Sequence, residues 1–284
     1  MRFEYLEPTT IEEAISLLTK HGGNAKVIAG GTDILLQIRG KQIRPQYVVD
    51  ITSIPGLDCI NYDEEHGLRL GALTTIRTLQ RSAELREKYP IIPEAASQMA
   101  SVAIRNMATL GGNLCNAAPS ADTAPPLIGL SARAKIIGPN GERVVPLEDF
   151  FTGPGSTVLE QTELLTEIQV PIPVLGTKGK YFKHTIRGND MAIVGVAVVV
   201  VMSPEDRVYQ DIKITLGAVA PTPLRAYEAE NIIRGKQINE SLINRSAQAA
   251  SDGINPRPGV RASTWYKKEM VKVFTQQALT ELAG

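Results

Sequence analysis

The chain has 284 residues, 43% of them apolar, and its 30 Lys and Arg balance 30 Asp and Glu for a formal net charge of zero. That length suits two domains, or one domain with an appendage, and leaves residues enough for real cores. The neutral balance provides no bulk field favouring nucleic acid or an anionic membrane. The start, Met1 to Tyr5, carries an early acid and no long apolar core, so no signal peptide is expected. The longest apolar run, Met191 to Met202, is broken by Gly195 and too short to span a bilayer, so a cytoplasmic protein is expected.

The first fifty residues read as strand, helix, strand, helix, strand. Thr10-Ile11-Glu12-Glu13 has capping-box spacing, and Ile11, Ala14, Ile15 and Leu18 make one apolar helical stripe stopped by Gly22-Gly23. Lys26 to Ala29 reads as a short buried strand, Thr32 to Arg39 as a short helix closed by Gly40, and Tyr47 to Ile51 as a returning strand. Between them stands the glycine pair Ala29-Gly30-Gly31-Thr32-Asp33. Strand, glycines and helix form a context that suits a phosphate at a helix N-terminus. Neither the G-x-G-x-x-G fingerprint nor a P-loop is present. A tight turn needing only backbone freedom accounts for the pair equally well. Thr32 adds a hydroxyl at the helix start, able to cap the helix or donate to a phosphate oxygen.

From about 55 to 175 the pattern changes. Leu68 to Leu70 and Ala134 to Ile137 read as strands, the latter pairing with Arg143 to Val145 across the hairpin signal Pro139-Asn140-Gly141. Helices are expected over Thr75 to Glu87 and Pro93 to Met99, and a strand over Glu163 to Val170. A second glycine pair, Thr109-Leu110-Gly111-Gly112-Asn113, reads as another loop where main-chain N–H groups converge. Asn113, Asn116 and Asp122 follow it in one irregular stretch. A carboxylate accepts hydrogen bonds from vicinal hydroxyls but repels phosphate, so Asp122 suits a sugar or ribityl chain. Met99, Ile104 and Leu114 either wall an aromatic ring or belong to the core. Two such loops together point to a diphosphate cofactor bearing a polyol.

Pro171-Ile172-Pro173, with Gly176 and Gly179 after it, marks a domain boundary. Tyr181 to Thr185, Ala192 to Met202 and Val208 to Leu216 read as an antiparallel meander, with a turn over Ser203-Pro204-Glu205-Asp206. From Leu224 the pattern is helical, through Ile232, Leu242, Met270, Val273 and Phe274. Tyr181-Phe182-Lys183 with Arg187-Gly188-Asn189-Asp190 reads from pattern alone as a solvated strand end. Were the ligand a flavin, Lys183 would stabilise the anionic reduced ring, and Asp190 would pair with Arg187 or Lys183.

Cys59 and Cys115 are the only cysteines, and His21, His66 and His184 are scattered singly, so no metal site is expected. No Gly-x-Ser-x-Gly or His-Glu-x-x-His arrangement suggests a self-sufficient hydrolase.

The motifs at Ala29 to Asp33, Ile104-Arg105-Asn106, Thr109 to Asn113 and Pro119-Ser120-Ala121-Asp122 resemble those of one flavoprotein family. It comprises the FAD-binding medium subunits of molybdenum hydroxylases such as xanthine, carbon monoxide and nicotinate dehydrogenases. The likeness extends through Glu163 to Ile168, Tyr181-Phe182-Lys183, Arg187 and Asp190-Met191-Ala192, covering nearly the whole chain.

The resemblance implies an α+β fold: a small parallel β/α unit over 1–54, an antiparallel sheet with helices over 55–175, then three antiparallel strands and a helical bundle over 176–284. It implies non-covalent FAD, with Ala29, Gly30, Gly31, Thr32 and Asp33 and then Thr109, Gly111, Gly112 and Asn113 at the diphosphate. Asp122 would meet the ribityl chain, Leu165 the isoalloxazine or adenine part, and Lys183 the flavin edge in a catalytic role. Ile104, Leu114, Cys115 and Phe182 would lie close by. It further implies a small subunit with two 2Fe–2S clusters, a large subunit with the molybdenum cofactor, NAD or another electron acceptor, and a dimer of heterotrimers. No extra cluster is expected in this chain. The alternatives are a stand-alone flavin reductase or oxidase of the wider fold, which would need its own proton donor, and a non-catalytic nucleotide-binding scaffold.

Overall fold

Three sheets in succession carry the chain in the computed structural model, which describes residues 2–203 and 207–284. The first is parallel: β1 (Glu4–Leu6) and β2 (Ala25–Ile28) pair on either side of β3 (Tyr47–Asp50). Helix α1 (Ile11–His21) joins β1 to β2. Its Thr10 cap accepts from the Glu13 N–H at 3.1 Å, and the Glu13 carboxylate accepts from the Thr9 N–H at 2.8 Å. Ala14, Ile15 and Leu18 form its buried face. Helix α2 (Ile34–Arg39) follows the first glycine pair. Its N-cap is Asp33 and no side chain caps it, so Thr32 does not take the capping role expected of it.

The second sheet is antiparallel, built from β4 (Ile60–Asp63), β5 (Gly67–Gly71), β6 (Arg133–Gly138), β7 (Gly141–Pro146) and, after the small hairpin β8 (Phe151–Gly153) and β9 (Ser156–Thr157), β10 (Leu164–Val170). The order is β4-β5-β10-β6-β7, with β10 in the centre. Six short helices lie between β5 and β6: α3 (Ile76–Arg81), α4 (Ala83–Lys88), α5 (Ile91–Gln98), α6 (Val102–Met107), α7 (Leu110–Cys115) and α8 (Ala124–Gly129). The single helix expected over Thr75 to Glu87 is two. Ser82 leaves helical geometry and its hydroxyl accepts from the Leu85 N–H at 3.2 Å, starting a new helix. The second glycine pair, expected in a loop, lies inside α7. Helix α8 has no counterpart in the expectations, and its sequence holds Pro125 and Pro126. They sit in its first turn, where an N–H has no helical partner to lose.

The third sheet, antiparallel, runs β11 (Thr177–His184), β12 (Val194–Ser203), β13 (Val208–Gly217) and a two-residue β14 (Leu224–Arg225), so four strands stand where three were expected. The turn expected over Ser203 to Asp206 lies, from Pro204 on, outside the described residues. Helices α9 (Tyr227–Ile233), α10 (Glu240–Asp252) and α11 (Thr264–Ala283) cover one face. The apolar run of β12 follows from burial on both faces. Val194, Val196, Val198 and Val200 pack with the helical layer, while Ala197 and Val199 join the core under β5 and β10.

Candidate functional site

A cavity of about 430 Å³ opens where β2 ends and lies between α2, α7 and β10. Ala29, Gly30, Gly31, Thr32 and Asp33 form one wall and Thr109, Gly111, Gly112, Asn113 and Cys115 another, with Leu164 and Leu165 along β10. The two glycine motifs, nearly eighty positions apart in sequence, therefore face one space. Backbone contact brings them together: a Cβ on Gly30 would stand 1.8 Å from the Met107 carbonyl oxygen. Gly31 has a φ of 70°, the left-handed region that turns β2 into α2.

The two motifs differ in what they offer. The N–H groups of Gly31, Thr32 and Asp33 have no protein acceptor among the described residues and stand at the opening of α2. At the second pair the N–H of Leu110 bonds Thr74 O at 2.9 Å, Gly111 bonds Ala72 O at 2.8 Å, and Gly112 bonds Thr109 Oγ1 at 3.1 Å. This corrects the expected loop of converging amides. Residues 110–115 are a helix docked on 72–74, and Gly111 serves that packing, since its Cβ would lie 2.7 Å from the Ala72 Cβ. The free donors at Gly31 to Asp33 fit a diphosphate, and the apolar stretch from Met99 and Leu73 to Leu165 fits a ring system, so the residues present suit a flavin dinucleotide. Burial raises the Asp33 carboxyl from its ordinary value. Burial also pushes the Cys115 thiol up to about 12, so it stays protonated and is no nucleophile at neutral pH.

Behind this wall lies a buried polar cluster. Lys183 Nζ donates to Asp122 Oδ2 at 2.8 Å, the two side chains being 2% and 7% exposed, and to the Gln98 carbonyl at 2.9 Å. Tyr181 donates its hydroxyl to Asp122 Oδ1 at 2.9 Å. Desolvation raises the Asp122 carboxyl above the usual range, against the pull of the Lys183 ammonium and both hydrogen bonds. Lys183 thus pairs with Asp122 and not with Asp190, for which it was one of two expected partners beside Arg187.

Of the expected residues, Ile104, Leu114, Asp122, Phe182 and Lys183 do not line the cavity. Leu114 is core, Ile104 is exposed on α6, and Phe182 stacks on Phe274 with centroids 5.5 Å apart. The cavity also takes in Gln37, Ala72, Leu73 and Leu159, which the pattern did not single out, and Glu163, which opens the stretch that carries the likeness. Of those the pattern missed, only Gln37 had a local signal, four positions after Asp33 and so on the same helical face. It reaches Asn116 Oδ1 at 3.4 Å. Among the described residues no group of three or more His, Cys, Asp and Glu gathers to hold a metal, and no helix is long and apolar enough to cross a membrane.

Comparison with known proteins gives the family. Residues 1–173 match the family described as the FAD binding domain in molybdopterin dehydrogenase, and residues 180–282 the CO dehydrogenase flavoprotein C-terminal domain. The chain is 32% identical to the glyceraldehyde dehydrogenase medium chain of Sulfolobus acidocaldarius, over 99% of this chain and 98% of the relative. It is 32% identical to the xanthine dehydrogenase FAD-binding subunit of Escherichia coli O157:H7, over 98% and 94% of the two chains. The solved carbon monoxide dehydrogenase from Hydrogenophaga pseudoflava superposes with a TM-score of 0.95 at 34% identity, covering 99% of this chain and 96% of that one. The chain belongs to the family of FAD-binding medium subunits of the molybdenum hydroxylases, and is thus the flavoprotein component of a multi-subunit oxidoreductase.

Proposed function

We propose that this chain holds one FAD, non-covalently, in the cavity between the two glycine motifs and serves as the electron exit of a molybdenum-dependent dehydrogenase. The observation that carries the reading is that cavity, with unengaged main-chain donors on one wall and an apolar lining on the other. When bound, FAD takes up electrons singly and releases them singly or as a pair, which suits it to stand between one-electron centres and a two-electron acceptor. The residues of this chain bind and orient it. Gly31, Thr32 and Asp33 donate main-chain N–H bonds to the diphosphate, with Ala29 and Gly30 setting the turn. Thr109, Gly111 and Gly112 build the opposite wall, and Asn113 is fixed there by the Thr123 hydroxyl at 2.6 Å. Leu165 meets the ring or the adenine with Cys115 in the same lining, and Asp122 and Lys183 act on the ribityl chain and the flavin edge from the cluster behind the wall; Ile104, Leu114 and Phe182 take no direct part.

The electrons come, in this reading, from two 2Fe–2S clusters of a small subunit, reduced in turn by the molybdenum cofactor of a large subunit. They leave to NAD or another acceptor, and two heterotrimers assemble together. The unpaired Cys59 and Cys115 suit a reducing, cytoplasmic setting, and the functional units divide near residues 54 and 175. The full chain titrated with FAD should quench flavin fluorescence at one FAD per chain. Co-expressed with its small and large partners, it should yield a complex whose iron, molybdenum and flavin contents match that composition. A chain that stays colourless at saturating FAD, or a complex with flavin but no iron or molybdenum, would overturn the reading.

A further inference from the structure

We propose that Tyr181 is a positioning residue for Lys183: acting through Asp122, its buried hydroxyl sets how much of the lysine's positive charge reaches the flavin. The inference rests on the placement of Lys183 at the flavin edge given above.

Tyr181 and Lys183 are two apart on β11 and so share a face of the sheet. Each takes one oxygen of the same carboxylate, the hydroxyl at Oδ1 and the ammonium at Oδ2. The carboxylate is thereby fixed at both ends. Gln98 ties the arrangement to α5, since its carbonyl accepts from Lys183 and its side-chain amide donates to the Tyr181 carbonyl at 3.3 Å. The cluster adjoins the cavity lining along the chain at Gln98 and, one contact further off, through Thr123. Gln98 precedes the cavity residue Met99, and Asp122 precedes Thr123, which holds the cavity residue Asn113.

The sheet leaves room for this hydroxyl in particular. Gly195 pairs opposite Lys183 on β12, and a Cβ there would stand 2.9 Å from the Tyr181 hydroxyl oxygen. An apolar core position would be filled as well by phenylalanine with no polar atom to satisfy. Here the buried hydroxyl needs a partner and has one in Asp122. Burial and the neighbouring carboxylate hold the phenol well above its ordinary pKa, so it remains a donor. A donor on Oδ1 draws part of the carboxylate's charge toward itself. With that donor gone, the whole charge bears on Lys183 and offsets more of its field in a low-dielectric site.

The test compares the FAD-loaded full chain with Tyr181→Phe, Lys183→Met and the double variant, reading the flavin midpoint potential by spectroelectrochemical titration at one pH. Lys183→Met should lower the potential, and Tyr181→Phe should lower it by part of that amount with FAD occupancy kept. In the Lys183→Met background Tyr181→Phe should add no further shift. Gly195→Ala, which crowds the hydroxyl off Asp122 while keeping the tyrosine, should reproduce the Tyr181→Phe shift and stands in for it if that variant does not fold. A Tyr181→Phe protein with lowered melting temperature and unchanged potential, or the same shift in both backgrounds, would overturn the proposal. If Lys183→Met itself leaves the potential unchanged, the placement of Lys183 at the flavin fails, and the inference with it.

Discussion

Arg143 grips Glu163 with two parallel bonds, Nε to Oε1 at 2.8 Å and Nη2 to Oε2 at 2.7 Å, and the Glu160 N–H adds a third at 2.8 Å. The Arg143 guanidinium, ahead of the backbone donor, holds the Glu163 carboxyl below the usual value of 4.5. Because the folded value is the depressed one, the stabilisation is complete above that unfolded value and is lost as pH falls through the folded one. Arg143 is 40% exposed, so the pair is partly screened. Glu163→Gln should therefore cost about 1 kcal/mol at neutral pH, with the difference from the parent closing in acid, as pH falls below the unfolded value and through the lower folded one. Urea unfolding at neutral and at acid pH reads it, and a difference that persists in acid would show that the charge is not what matters. Other residues carried their chemistry openly but not their partners. Asp122 and Lys183 were legible as a carboxylate and a cation suited to a flavin site. Their bond to each other spans 61 positions, and no local pattern joins them.

Between elements, the decisive contact is the one that seats the turn after β2 on the end of α6. The atom facing Gly30 is a backbone carbonyl, which cannot rotate away as a side-chain tip would. Gly30→Ala should therefore push α6 and α2 apart, costing about 1–3 kcal/mol of stability and most of the FAD occupancy. Thermal unfolding and flavin content measure the two effects, and a variant that binds FAD as the parent does would remove this contact from the site. The pair Gly30-Gly31 was legible as a close approach, but the approaching group was read as a ligand, whereas Gly30 meets protein backbone. The second pair shows the same limit. Thr109, read as part of a loop, caps α7, and the docking of α7 on residues 72–74 goes with the isolated bridge between Thr75 and Thr109, a long-range pairing. Capping at Thr10 and the hairpin of β6 and β7 were read from local spacing alone, because both are decided within a few residues.

Across the molecule, the second and third sheets share a core. Tyr181, Ala197 and Val199 pack into the cluster that holds Leu68, Leu165 and Ile168, so the boundary marked by Pro171 and Pro173 separates chain segments more cleanly than it separates cores. The most protected amides of β10 and β12 should accordingly open with a common free energy, and Val199→Ala should lower both together. Native-state hydrogen exchange reads this; β10 exchanging well before β12 would mean two independent units. Capping residues, the glycine pairs and the strand alternation, all governed by local sterics and short-range hydrogen bonding, determined the elements of the first sheet, the main strands of the other two and the motifs that mark the family, but not α8, the break at Ser82 or β14. Tertiary structure alone decided which glycines meet backbone, which amides stay free for a ligand, and that a tyrosine, an aspartate and a lysine share one buried junction. Those outcomes depend on which distant segments exclude water together, and burial of that kind is a property of the packed chain rather than of any stretch of it.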